Sequence, residues 1–192
     1  MKSSRQKFFE DYRAEKEAAD NRRGYKLVYV YKGEWCAWNE SAADIRRRKR
    51  LYVAAVLIRT LLIVLCGVQR VAFNTAGTVA VPGLISLVSM MYEWIGVVRF
   101  CMAKELMQGG DCRRMYSFVE KGSVVTGLCY AVAAAAGLRL QILNGADLPS
   151  ILVLLGFVLC AVISFVLYAQ HEKLSWRVEI EREEDEPNGE DL

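Results

Sequence analysis

Residues 46–68 read RRRKRLYVAAVLIRTLLIVLCGV: five basic side chains run directly into a long apolar stretch whose single charge is Arg59. A helix rises about 1.5 Å per residue, so roughly twenty apolar residues cross a hydrocarbon layer about 30 Å thick. Leu51–Val68 approaches that length. Upstream, Asn39, Ser41 and Asp44 are residue types that start helices. The helix is therefore expected to begin near Ser41, in water, and to enter lipid near Leu51.

Three more runs of this kind follow. Val79–Met102 is expected to hold Pro82 in its first turn, where a missing N–H does no harm. Tyr116–Leu138 is rich in Gly and Ala, and Pro149–Tyr168 follows Asp147 as an N-cap and carries no charge. Soluble core helices rarely offer uncharged runs of that length. The expectation is a mainly α protein. It consists of a four-transmembrane-helix bundle (41–170), an N-terminal segment (1–40) with an amphipathic helix and a β-hairpin, and a C-terminal segment (171–192) with a strand and an acidic tail.

Charge distribution sets the orientation. The whole chain is 54% hydrophobic with net charge +3. That average hides charged ends around an apolar middle, the pattern of a membrane domain with polar tails. Arg46, Arg47, Arg48, Lys49 and Arg50 precede the first run, and Lys104, Arg113 and Arg114 separate the second from the third. The other two connections hold only Arg70 and Arg139. Basic segments stay on the cytoplasmic side, so a multi-pass plasma-membrane protein with both termini cytoplasmic is expected. The Arg46–Arg50 run is expected to contact lipid headgroups rather than nucleic acid. Met1–Gly24 is too charged to hold an apolar signal core, so the first span is expected to act as its own insertion signal.

Two charges break the membrane rule. Counted from the cytoplasmic boundary, Arg59 and Glu93 both lie roughly 12–14 Å deep, on consecutive antiparallel helices expected to be neighbours. An isolated Arg at mid-bilayer costs about 2.5–3.5 kcal/mol on insertion scales, so an ion pair is expected. Two roles are open: a clasp that fixes helix packing, or a proton or substrate site. Small or polar residues recur at helical spacing around them. These are Ser86, Ser89 and Gly96 beside Glu93, Tyr52 and Cys66 beside Arg59, and Ser123, Gly127, Tyr130, Ala134 and Gly137 on the third run. Such stripes allow close helix approach and are expected to face the interior.

Outside the spans, residues 3–19 place Phe8, Phe9 and Tyr12 among Arg5, Lys7, Arg13 and Lys16, a pattern that suits a surface helix. Tyr25, Leu27, Tyr29 and Tyr31 alternate with Lys26, Val28 and Val30, and Lys32-Gly33 can turn the chain into Glu34–Trp38. That is a hairpin signal. Leu174, Trp176, Val178 and Ile180 also alternate with polar residues, so a C-terminal strand is expected to join the hairpin.

Catalytic signals are missing. The single histidine, His171, is expected to cap the last helix or lie at the interface. The six cysteines include no C-x-x-C and are expected as free thiols. No nucleotide loop, zinc-protease motif or nucleophile elbow occurs, and no cofactor or metal is expected.

Tyr31, Gly33, Glu34 and Trp35, then Trp38, then Arg50-Leu51-Tyr52 and four spans, form an order of elements over residues 25–180. It resembles small four-span membrane proteins of Gram-positive anaerobic bacteria with no assigned activity. The resemblance implies a bacterial plasma membrane and carries no active residues. The expected function is a non-enzymatic accessory or interaction module, with a membrane-protein partner or a homo-oligomer. The alternative is a small oligomeric transporter or channel that uses Arg59 and Glu93. A membrane enzyme is a third, weaker option.

Overall fold

The computed structural model describes residues 12–18, 24–145 and 147–179. Its frame is four helices: α1 (Ala42–Val68), α2 (Gly77–Met102), α3 (Gly109–Asn144) and α4 (Leu148–Glu172). All four are long and apolar enough to cross a membrane. A helix is the natural spanning element because it satisfies its own backbone polar groups where no water can.

The helix ends follow from local chemistry. Ser41 caps α1: its Oγ accepts from the Asp44 N–H at 3.2 Å, and its hydroxyl donates to the Asp44 carboxylate at 2.6 Å. At the other end the Asn74 side-chain amide donates to the carbonyls of Cys66 and Gln69, both at 3.1 Å, and so satisfies acceptors that the helix leaves open. Asn74 sits in a 3₁₀ turn, Ala72–Thr75, that leads into α2. α2 starts at Gly77, before the expected Val79, which puts Pro82 in the second turn rather than the first, so that it deprives the Thr78 carbonyl of its intrahelical donor. α3 is longer than its apolar core at both ends. Arg, Met, Leu and Gln are good helix formers, so the helix runs on beyond the span.

The bundle is apolar outside and partly polar inside. Leu57, Leu61, Leu84 and Leu155 are exposed, while Ser86, Glu93, Ser123 and Arg59 are buried. In water that arrangement would be unstable; in lipid it is the expected one. The stripes named from the sequence all face inward. α2 and α3 share the most extensive helix interface, followed by α3 with α4. α1 leans mainly on α4 and touches α2 sparsely, although α1 and α2 are consecutive.

Two small antiparallel sheets complete the fold. β1 (Tyr12–Ala18) pairs with β2 (Tyr25–Tyr31), from Tyr12 opposite Tyr31 to Ala18 opposite Tyr25. β3 (Trp35–Trp38) is the centre of the second sheet, between β4 (Leu106–Gln108) and β5 (Trp176–Glu179). This corrects two expectations. Residues 12–18 of the expected surface helix form a strand, because a long partner lies within reach across Gly24, whose φ is +70°. β2 turns back to β1 rather than forward to β3, so Lys32-Gly33 links two sheets instead of closing a hairpin. The expected C-terminal strand does join β3, with Cys36 opposite Val178. The rest of the expected N-terminal helix, residues 3–11, and the acidic tail from residue 180 lie outside the described residues.

Candidate functional site

Each of the four helices contributes one side chain to a single polar node. α1 supplies Arg59, α2 Glu93, α3 Ser123 and α4 Ser164, and all four are 0% exposed. The Arg59 guanidinium meets the Glu93 carboxylate fork to fork. Nη1 donates to Oε1 at 3.0 Å and Nη2 donates to Oε2. Nη1 also donates to Ser164 Oγ at 2.8 Å, and Ser164 passes its own proton to the Cys160 carbonyl at 2.8 Å. Ser123 donates to Glu93 Oε1 at 2.9 Å. Of this set only Arg59 Nε has no hydrogen-bond partner among the described residues.

The geometry satisfies the demands of a buried charge pair. Bidentate guanidinium–carboxylate contacts are the strong form of an ion pair, and the two hydroxyls occupy further polar valences. Glu93 sits at a close approach of α2 and α3: a Cβ on Gly122 would lie 2.9 Å from the Cβ of Glu93 and 3.1 Å from its nitrogen. Neither Arg59 nor Glu93 lines the cavities between α1 and α4, between α2 and α3, or at the two ends of the bundle. The carboxylate is thus placed to fix helices.

A second polar cluster lies at the sheet end. The His171 ring stacks on Tyr116 with centroids 4.3 Å apart. Its Nε2 is 3.2 Å from the Tyr116 carbonyl, which can only accept, so Nε2 carries the proton. Nδ1 lies 3.3 Å from the Tyr52 hydroxyl. His171 thus ties α4 to Tyr52 of α1 and Tyr116 of α3. Tyr116 also meets Trp176 edge-on at 4.7 Å and so seats β5 on the bundle.

The basic run divides. Arg48 pairs with Glu40 at 2.6 Å and donates to the Gln170 carbonyl at 3.0 Å. Lys49 donates to the carbonyls of Cys101 and Ala103, at 3.1 and 2.7 Å, a cation at the negative end of α2. Arg46, Arg47 and Arg50 remain exposed. The six cysteines are free thiols.

The structure brings Arg59 and Glu93 together as their matched depths required, and Ser123 with them. Ser164 escaped the sequence reading. A serine in a membrane helix is common and inexpensive, and nothing in its spacing set it apart. Tyr116 gave no signal, because its role depends on a backbone carbonyl. No protein-family model, no curated protein and no solved structure matches this chain.

Proposed function

We propose that this chain is a non-enzymatic integral membrane module that presents a cytoplasmic β-ribbon to a partner, either another membrane protein or a second copy of itself. The observation that carries this reading is the outer face of β2, where Leu27 is 52% and Tyr29 56% exposed. They stand at alternate positions with Tyr25 on one face of a two-stranded ribbon. Exposed aromatic and aliphatic side chains in such a row suit a protein contact. The basic segments at Arg46–Arg50 and at Lys104, Arg113 and Arg114 support a plasma-membrane orientation with both termini in the cytoplasm, and the exposed Arg46, Arg47 and Arg50 suit contact with headgroups.

The competing reading is a small oligomeric transporter or channel worked by Arg59 and Glu93. What favours the module is that the pair spends its hydrogen bonds inside the bundle. The test is site-specific photocrosslinking from position 27 in native membranes. A discrete crosslinked species is expected, and it should disappear in a Leu27→Lys/Tyr29→Lys variant that still inserts. A chain that crosslinks to nothing and runs as a monomer in mild detergent would refute the proposal.

A further inference from the structure

We infer that the groove between α1 and α4 holds one phospholipid whose headgroup carries both a phosphate and an ammonium group. The inference rests on reading the chain as membrane-spanning and adds a ligand site to it. The groove encloses about 790 Å³, within the range of specific small-molecule sites. On α1 its wall is Asp44, Arg47, Leu51, Ala54 and Ile58, one face of the helix. From Arg47 to Ile58 the helix rises roughly 16 Å, the depth of one leaflet of a core about 30 Å thick. Ala54 supplies the depth, while Leu51, Ile58 and Val166 of α4 form the sides. The next residue inward, Arg59, is turned into the bundle, so the floor presents no charge to an acyl chain.

The rim selects the headgroup. It holds two cations, Arg47 and Arg48, and two carboxylates, Glu40 and Asp44. Arg48 is already committed to Glu40 and to the Gln170 carbonyl. Arg47 is exposed and makes no ion pair among the described residues, so it is the phosphate ligand. Asp44 takes a hydrogen bond from Ser41 at 2.6 Å on one oxygen and keeps the other for an ammonium group. A phosphoglycerol headgroup would bring a net negative charge to a rim that sums to zero. A phosphoethanolamine headgroup matches both signs.

The test uses the full chain reconstituted in bilayers of equal phosphatidylethanolamine and phosphatidylglycerol, released into mild detergent and weighed by native mass spectrometry. One retained phosphatidylethanolamine per chain is expected. Arg47→Gln should lower retention about fivefold, the effect of one basic residue at a membrane surface. Ala54→Phe, which fills the groove, should abolish it with helix content by circular dichroism unchanged. Because Arg47 is exposed, its variant reports even if Ala54→Phe fails to fold. A chain that needs detergent yet retains no lipid, retains phosphatidylglycerol equally well, or keeps its lipid in Ala54→Phe would overturn the site. A chain soluble without detergent would instead overturn the membrane reading itself.

Discussion

α2 and α3 are joined through their backbones, whereas α1 is joined to the bundle mainly through long side chains. On the α2–α3 seam a Cβ on Gly122 would fall 3.1 Å from the Glu93 nitrogen, and one on Gly96 would fall 2.9 Å from the Val119 nitrogen. A side chain at either glycine would force the two helices apart. The α1 contact at a glycine is a side-chain one: Cys66 Sγ lies over Gly156 of α4. Beyond the apolar packing of Ile45, Val56 and Cys66, its polar attachments are Arg59, Tyr52, Arg48, Lys49 and Thr60, which reach other helices or carbonyls. A seam of dispersion contacts weakens in proportion to the volume disturbed. A helix held by a few polar bonds loses a large share of its attachment when one group goes. α1 is therefore the element whose stability is most concentrated.

The largest effect should come from dividing the ion pair. Arg59→Met leaves Glu93 buried without its countercharge, and breaking a buried pair from one side costs about 3–5 kcal/mol. Glu93→Met should cost a similar amount. The double variant replaces both charges by apolar groups of similar length and should recover most of the loss. Reversible unfolding in mixed SDS and mild detergent measures all three. If each single variant costs under about 1 kcal/mol, Arg59 is not the anchor of α1. If the double variant is as poor as the singles, the node has a purpose beyond holding helices.

The seam is tested by adding volume. Gly122→Ala pushes α3 off α2 at Glu93 and should destabilise by about 1–3 kcal/mol, as overpacking does. Gly83→Ala on the same α2 places its methyl in open space. It should raise stability by up to about 1 kcal/mol, since alanine is the better helix former. Opposite signs from one chemical change would sharpen the contrast between seam and surface. Equal effects would mean that the α2–α3 approach is not tight.

The bundle was far more legible in the sequence than the sheets. Span length, charge alternation and the depths of Arg59 and Glu93 are one-dimensional quantities, readable by counting along the chain. So are the inward stripes, because helical spacing alone determines which residues share a face. Strand pairing is not of that kind. Tyr25–Tyr31 announced itself as a strand, but nothing in it chooses between the segment before and the segment after. Tyr12–Ala18 reads YRAEKEA, whose Glu, Lys and Ala favour a helix, and only its pairing makes it a strand. Across that pair Glu17 stands opposite Lys26, and Tyr12 meets Tyr31 edge-on at 5.2 Å. Both partners were in the sequence, but their register was not. Leu106–Gln108 is too short to show any period. At the node the charges were legible because they are rare in a span, while Ser164 was hidden among the common, inexpensive hydroxyls of membrane helices.

Those hydroxyls give the smallest effects, and they still separate the two kinds of attachment. Ser164 accepts from Arg59 and thus ties α4 to the guanidinium that anchors α1. Ser123 donates to Glu93 across a seam that glycine contacts already hold. Hydrogen bonds between membrane helices average about 0.6 kcal/mol and reach about 1.7 kcal/mol at most. Ser164→Ala should fall in the upper part of that range, because α1 and α4 have little else at that depth to replace the bond. Ser123→Ala should lie near the average, because α2 and α3 stay in contact through Gly122 and Gly96. Unfolding both variants under one condition gives the order directly. If Ser123→Ala were the costlier, the α2–α3 seam would depend on its polar bond as much as α1 does, and the distinction between backbone and side-chain attachment would fail.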